Sequence, residues 1–368
     1  PPRSTQGVSS AASDVYKRQL SYFAIDETKN ITEKENPLKV DFSGNNSFIS
    51  YLPLNHIAER VVVEHVCLRF GGSLSFVESI DSFAKNLRDI QPHIFFAAPR
   101  IWTKFQLGIL GKLSQNKLDI LTKIPIISGI IKNKLKKGLG LNRARSTVSG
   151  SAPLSISTIE WFRRVGIYIT NGYGMTENCA ICSQVDGRNF KKLNSVGRAQ
   201  YGAEIKIDEP SGEVLMRGPY VMDGYYKNDE LTSKTLVDGW LHTGDIGIMD
   251  QNGYLDITDR KKDMIITGGF NVYPAEVENS LMSHPEIGQI AIVGAPDERL
   301  GEIAVAFVVP TKQTAPTEEG IINWARERIA NFKVPRQIIF MNDLPTNASG
   351  KVLKFELRES INSSKQVD

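Results

Sequence analysis

A chain of 368 residues exceeds what one ordinary hydrophobic core organises, so two or more domains are expected. With 41% apolar and 23% charged residues and a formal net charge of only +3, the composition is that of a soluble globular protein and gives no case for nucleic-acid binding. No apolar run approaches the ~18 residues that a membrane-spanning helix needs; the longest, residues 124–131, is broken by Pro125 and Gly129.

Residues 1–19 have no apolar period and no signal-peptide core, and read as an artefactual or disordered tail. From residue 20 strand-like and helix-like segments alternate, the pattern of an α/β protein. Residues 48–52 form a short apolar run ending at Pro53. Residues 55–68 then read as a helix with Ile57, Val61 and Val62 on one stripe, stopped by Gly71-Gly72. Residues 74–77 and 94–97 are expected as buried strands, and 100–139 as mostly helical and basic. Two more strands, 147–149 and 167–170, bracket a helix at 155–164. The basic run 132–145 has two readings: a solvated helix end, which is favoured, and a peripheral contact with lipid headgroups or an acidic partner.

After Asn194 short strands and Gly-rich turns dominate, at 203–207, 212–217, 240–242 and 254–258, as in a β-rich sub-lobe. A charged run, Asp259-Arg260-Lys261-Lys262-Asp263, marks a second change. Beyond it the order is strand, helix (274–282), strand (289–293), strand (303–309), helix (318–330), strand (337–341), with Val277, Leu281, Ile322, Ala325 and Ile329 at helical spacing. The expected architecture is a large N-terminal α/β lobe, incomplete, with a β-rich sub-lobe, plus a small C-terminal α+β domain.

Cys67, Cys179 and Cys182 are too few for a disulfide framework and fit a reducing, cytoplasmic setting. The C-x-x-C pair lacks the further ligands zinc needs and reads as packing beside a loop.

Four clusters carry chemistry. Tyr173-Gly174-Met175-Thr176-Glu177 puts an acid beside a hydroxyl after a glycine turn, able to hold Mg²⁺ and a phosphate oxygen; an unremarkable loop is its plain alternative. The second, residues 239–245, sets Asp245 between tight turns, suited to two vicinal hydroxyls or to an ordinary hairpin. Residues 259–263 followed by Gly268-Gly269 read as a hinge and a channel wall, or as a surface loop and a glycine turn. Residues 344–351 place Lys351 on a small polar loop where it can reach an anion, or be merely exposed.

Together and in this order the clusters resemble the adenylate-forming (AMP-binding) superfamily of acyl-CoA synthetases, luciferases and peptide-synthetase adenylation domains. The likeness runs from about residue 48 to 351 and includes Ser149-Gly150-Ser151-Ala152-Pro153-Leu154 and the segment 212–226. The resemblance implies a domain division into 20–258 (N-terminal AMP-binding domain, partial), a hinge at 259–263, and 264–368 (C-terminal domain). It implies that Thr176 binds the α-phosphate and Glu177 the Mg²⁺; that Asp245, with Arg260, takes the ribose hydroxyls; and that Ser151, Ala152, Gly172 and Tyr173 line the adenine pocket. Lys262 is then the hinge, Gly268 and Gly269 lie along the pantetheine path of coenzyme A, Lys351 serves adenylation, and His56 sits near the reacting carboxylate. The implied reaction is fatty acid, ATP and CoA to acyl-CoA, AMP and diphosphate.

The sequence departs from the pattern in two ways. The family's Ser/Thr/Gly-rich phosphate loop is absent, and residues 20–25 resemble the helix just downstream of it, so an N-terminally truncated and inactive fragment is expected. The substrate signals are also mixed. Residues 50–60 and 99–102 resemble the long-chain fatty acyl branch, whereas 269–278 are closer to coumarate-CoA and bacterial acyl-CoA ligases. Loading of a carrier protein, and a non-catalytic acyl- or nucleotide-binding relative, remain alternatives. A homodimer and membrane association are left open.

Overall fold

The computed structural model describes residues 39–41, 43–180, 182–209, 211–311, 315–347 and 351–364. The expected tail 1–19, the segment 20–25, and Ala348, Ser349 and Gly350 of the last motif lie outside the described residues. The chain divides into two compact units. Unit one comprises 1–207, 215–243 and 249–256; unit two comprises 208–214, 244–248 and 257–368.

In unit one, β3 (Ile94–Ala97), β4 (Ser146–Ser149) and β5 (Ile169–Tyr173) are parallel neighbours, continued by antiparallel β6 (Ser183–Val185) and β7 (Arg198–Ala199). The run Ile94-Phe95-Phe96-Ala97 is buried throughout, because both sheet faces are covered. Phe95 and Ala97 join Phe83 and Leu87 of α2 (Phe83–Ile90), Trp102 and Ile109 of α3 (Pro99–Leu110), Leu118 of α4 (Gln115–Lys123), and Ile159 and Phe162 of α6 (Ile156–Arg164). Ile94 and Phe96 face a second cluster with Ala58, Val63, Val66 and Cys67. The alternation of the strand thus becomes two cores.

The expected helix at 55–68 forms with an altered backbone: Glu59–His65 is π-helical and runs into α1 (Val66–Phe70), with Val66 N–H reaching back to Val61 O. Three adjacent valines, Val61 to Val63, are poor α-formers and coincide with the widened turn. The helical stretch expected at 100–139 is split into α3, α4 and α5 (Pro125–Leu139) at Gly111 and Pro125. β2 (Ser73–Phe76) forms but is not buried as expected. It pairs in parallel with β1 (Ser47–Ser50), and Phe76 stays 60% exposed. Cys179 and Cys182 are buried beside Met216, Tyr220 and Leu241, and no group of three metal-binding side chains occurs among the described residues. No described helix is long and apolar enough to cross a membrane.

The chain passes between the units within β9 (Glu213–Arg217), β11 (Trp240–Met249) and β12 (Leu255–Arg260). Between β9 and β11 lie β10 (Leu236–Val237) and the short helix α7 (Asp229–Thr235); β8 (Glu204–Ile207) precedes β9. In unit two, β15 (Ile287–Asp297) and β16 (Gly301–Pro310) form a long antiparallel ladder, and β17 (Gln337–Phe340) adds in parallel to β16. Ile290, Ile292, Ala304, Ala306 and Val308 pack with Val277 and Leu281 of α8 (Pro274–Leu281) and Ile321 and Ala325 of α9 (Glu318–Arg326). The alternate residues Ala291, Val293, Val305 and Phe307 pack with Leu357 and Ile361 of α10 (Lys354–Ser364). This is an α+β body with helices on both sheet faces.

Candidate active site

In unit one the loops of interest leave the carboxyl ends of adjacent parallel strands, the place where open α/β sheets receive ligands. Ser149 of β4 is in register with Asn171 of β5. Beyond β4, Ser151 is exposed with φ +71°, an uncommon left-handed conformation for a residue with a side chain. Ala152 follows it, and Gly172 and Tyr173 end β5, so the four residues expected to line one pocket lie at neighbouring strand ends. Two buried hydroxyls beside these ends, Ser149 Oγ and Ser183 Oγ, have no hydrogen-bond partner among the described residues.

After Tyr173 the chain folds tightly: a Cβ on Gly174 would lie 2.4 Å from the Ala180 carbonyl carbon, so only glycine fits. Ala180 N–H donates to Met175 O, and buried Asn178 accepts from Met175 N–H at 2.8 Å. This turn holds Thr176 and Glu177. Glu177 is buried and accepts a 2.9 Å hydrogen bond from the phenol of Tyr225, while Met222 N–H donates to its carbonyl. Burial, followed by the Glu177 charge, raises the Tyr225 phenol well above its ordinary value, keeping it a donor. His56 plays a structural part, since its Nδ1 accepts from Ala58 N–H at 3.2 Å at the entry to the helix. The neighbouring Ile57 joins the apolar cluster against which Tyr173 and Met175 pack, which brings the His56 segment towards that turn.

Unit two holds the second set. Asp245 of β11 is 4% exposed, and its Oδ1 lies 3.1 Å from Arg260 Nε on β12. The pair is aligned by buried Glu213, which accepts from Gly244 N–H at 2.8 Å and from Lys261 Nζ at 3.3 Å. Lys351 is half-buried. Its loop is closed by Asn347, whose Oδ1 accepts from Lys351 N–H at 2.9 Å and whose N–H donates to Lys351 O. Burial, then the cations Arg260 and Lys262, lower the Lys351 ammonium to about 8, against the opposing pull of Asp245 and Asp263. Lys351 thus lies within electrostatic reach of both Arg260 and Asp245.

Lys262 is exposed, between two anchored acids. Asp259 accepts from Ala275 N–H at 3.1 Å, its carboxyl pushed up to about 6 by burial, and Asp263 pairs with Arg358 at 2.7 Å. Gly268 and Gly269, at φ +56° and +83°, form the two-residue turn between β13 (Ile265–Thr267) and β14 (Phe270–Val272). A tight hairpin requires positive φ at both positions, so the turn accounts for this glycine pair without a ligand.

The half-buried Lys354–Glu278 pair, at 2.7 Å, was not singled out by motif, and no role was expected of Tyr225 or Glu213. Tyr225 and Glu213 sit inside the segment 212–226, but their partners are distant in sequence.

A single carboxylate, Glu177, fits a magnesium ion brought in on nucleotide phosphates, which needs one or two protein carboxylates and not a closed cage. The unpartnered serine hydroxyls at the strand ends fit a polar ligand in the same way.

The chain is similar to known proteins in sequence and in fold. The 2-succinylbenzoate–CoA ligase of Bacillus cytotoxicus (strain DSM 22905) is 39% identical over 224 residues, covering 58% of this chain and 46% of the relative. The feruloyl-CoA synthase of an Amycolatopsis species is 34% identical over 262 residues, covering 68% and 53%. The structure of O-succinylbenzoate coenzyme A synthetase from Bacillus subtilis, in complex with ATP and magnesium ion, superposes with a TM-score of 0.69 at 25% identity, over 92% of this chain and 65% of that one. The chain spans about half the length of these curated relatives. Residues 276–351 match the AMP-binding enzyme C-terminal domain. Residues 20–226 match the AMP-binding enzyme family, and the chain belongs to that family.

Proposed function

We propose that this chain is part of an acid–thiol ligase that uses ATP and coenzyme A, working through an acyl-adenylate. The observation that carries the reading is the cluster of Asp245, Arg260 and Lys351 in unit two. A buried carboxylate held by one guanidinium is an acceptor for vicinal ribose hydroxyls, and a lysine beside it can neutralise charge developing at phosphorus. In the first half-reaction a carboxylate oxygen attacks the α-phosphorus of ATP and diphosphate leaves. In the second, the thiol of coenzyme A attacks the mixed anhydride and AMP leaves. Glu177, held by Tyr225, is the ligand for magnesium, which when bound neutralises phosphate charge. Thr176 contacts the α-phosphate; Ser151, Ala152, Gly172 and Tyr173 line the adenine site; His56 lies near the reacting carboxylate; Lys262 is the hinge; and Gly268 and Gly269 flank the pantetheine arm. The domain division 20–258, 259–263 and 264–368 belongs to this reading.

For the acyl group, residues 50–60 and 99–102 support a long-chain fatty acid. A second reading, an aromatic or other ring-bearing acid, is supported by the 2-succinylbenzoate–CoA ligase and the feruloyl-CoA synthase among the relatives. Acid-dependent exchange of labelled diphosphate into ATP by the complete gene product, across fatty acids of graded length and aromatic acids, separates the two. Asp245→Ala removes hydrogen bonds worth about 1.5–3 kcal/mol each and is expected to weaken ATP binding at least tenfold. Unchanged ATP affinity would remove the ribose role, and absence of acid-dependent exchange would remove the reaction.

A further inference from the structure

The basic segment set apart in the sequence takes on a definite form where α4 meets α5. Four isoleucines lie on the solvent side of this corner: Ile120 is 62% exposed, Ile124 43%, Ile126 81% and Ile130 62%. Ile120 lies in the last turns of α4, Ile124 is the extended residue joining the helices, and Ile126 and Ile130 form an i, i+4 pair opening α5. At a rise of 1.5 Å per residue, all four lie within about 10 Å of the corner. The inward face of α5 is fully used, since Ile131, Leu135 and Leu139 pack against the main core of unit one. The four outward isoleucines take no part in that core.

Lysines outnumber acids around the corner, where Asp119 is the one acid on the two helices. Lys117 and Lys123 on α4, and Lys134 and Lys137 on α5, are exposed and form no ion pair among the described residues. The acid on this helix pair, Asp119, is engaged by Gln115 at 2.7 Å. Solvent-exposed aliphatic side chains at a helix corner, with Lys117 and Lys123 beside them and Lys134 and Lys137 about 15–20 Å further along α5, match an interfacial membrane anchor whose lysine stems let the ammonium stay in water. A protein-binding patch is built differently: its centre is rich in aromatic residues, Met and Arg, and poor in Lys.

We propose that the α4–α5 corner docks this protein onto an anionic membrane surface, with Ile120, Ile124, Ile126 and Ile130 entering the headgroup–acyl boundary and Lys117, Lys123, Lys134 and Lys137 pairing with lipid phosphates and carboxylates. The inference is independent of the ligase reading and concerns a face of unit one that no catalytic residue occupies.

The test is co-sedimentation of the purified full chain with extruded vesicles of mixed phosphatidylcholine and phosphatidylserine, set against pure phosphatidylcholine. Binding is expected to the mixed vesicles, weaker to the neutral ones, and reduced by salt. Ile126→Ser with Ile130→Ser, both at exposed positions, is expected to lower partitioning by about tenfold or more. Lys134→Gln with Lys137→Gln should lower binding to the anionic vesicles by a similar factor and leave binding to neutral vesicles unchanged. Far-ultraviolet dichroism of each variant checks that the fold persists. No binding to anionic vesicles, or binding indifferent to the isoleucine pair, overturns the proposal. So does conversion of an oligomer to a monomer by the isoleucine pair, which would make this face a contact between protein chains.

Discussion

Lys351 offers the sharpest check on the electrostatics of unit two. Its ammonium is lowered from 10.5 to about 8, first by burial and then by Arg260 and Lys262. At pH 8 about half of Lys351 is then neutral, against well under about one per cent of an ordinary exposed lysine. Only the neutral amine attacks an acylating reagent. Competitive labelling with acetic anhydride, read by peptide mass spectrometry across pH, should therefore show Lys351 reacting on the order of a hundredfold faster than solvated lysines at pH 8. Its labelling midpoint should lie near 8. Arg260→Gln removes a lowering cation and should move the midpoint up, whereas Asp245→Asn removes a raising charge and should move it down. The shift also has a stability consequence. Between about 8 and 10.5 the folded chain binds fewer protons than the unfolded one, so stability rises with pH through that window and is lost as pH falls below it. Two and a half pH units correspond to at most about 3 kcal/mol, and Lys351→Met should abolish this slope in urea unfolding. A labelling midpoint near 10.5, or one indifferent to both Arg260 and Asp245, would refute the clustering of these three side chains.

Two further outcomes follow from buried charges. Glu59, in the π-helical turn, is fully buried, with Oε1 lacking a partner, and its carboxyl is raised from 4.5 to about 7 by burial, against hydrogen bonds from Ser50 and Leu52 N–H. A raised folded value means stability that is present below pH 4.5 and lost as pH rises through about 7. Glu59→Gln should flatten the melting temperature across that interval, and an unaltered slope would show that another group titrates there. Lys354→Met strands Glu278, whose Oε1 also accepts from Ile292 N–H at 2.8 Å, and should cost about 3 kcal/mol in urea unfolding. Adding Glu278→Gln should recover part of that loss, and a strictly additive double variant would show that the pair is not coupled.

Much of this architecture is legible from local rules. The run Ile94 to Ala97 is uniformly apolar because both faces of its sheet are covered, and a segment of that length with no period can do little else. In unit two the apolar runs around residues 289–293 and 303–309 reveal strands, yet each strand proves longer, β15 at 11 residues and β16 at 10. Polar and glycine residues at their ends, such as Asp297 and Gly301, carry no strand signal of their own and are recruited by the partner across the ladder. Trp240 to His242 likewise extends to Met249, through Gly244 at φ +71°. β2 shows the opposite failure. Its apolar residues predict burial, but exposure depends on what covers a strand, which is a property of the neighbours and not of the segment.

The candidate site divides along the same line. Local features drew attention to Tyr173 to Glu177, Asp245 and Lys351, each with a plain alternative, and only the resemblance to the adenylate-forming superfamily gave them and Arg260 their expected roles. It could not supply the groups that hold them. Tyr225 reaches Glu177 across 48 positions, and Glu213 reaches Gly244 across 31. Spacing offered a glycine turn at Gly268-Gly269 as one of two readings, but it could not tell that His56 braces the entry to a helix or that Lys351 sits within reach of cations. Local sequence determines backbone propensity and side-chain chemistry. Distances between residues remote in the chain, and with them desolvation and proton affinity, come into being only when the sheets and helices have packed.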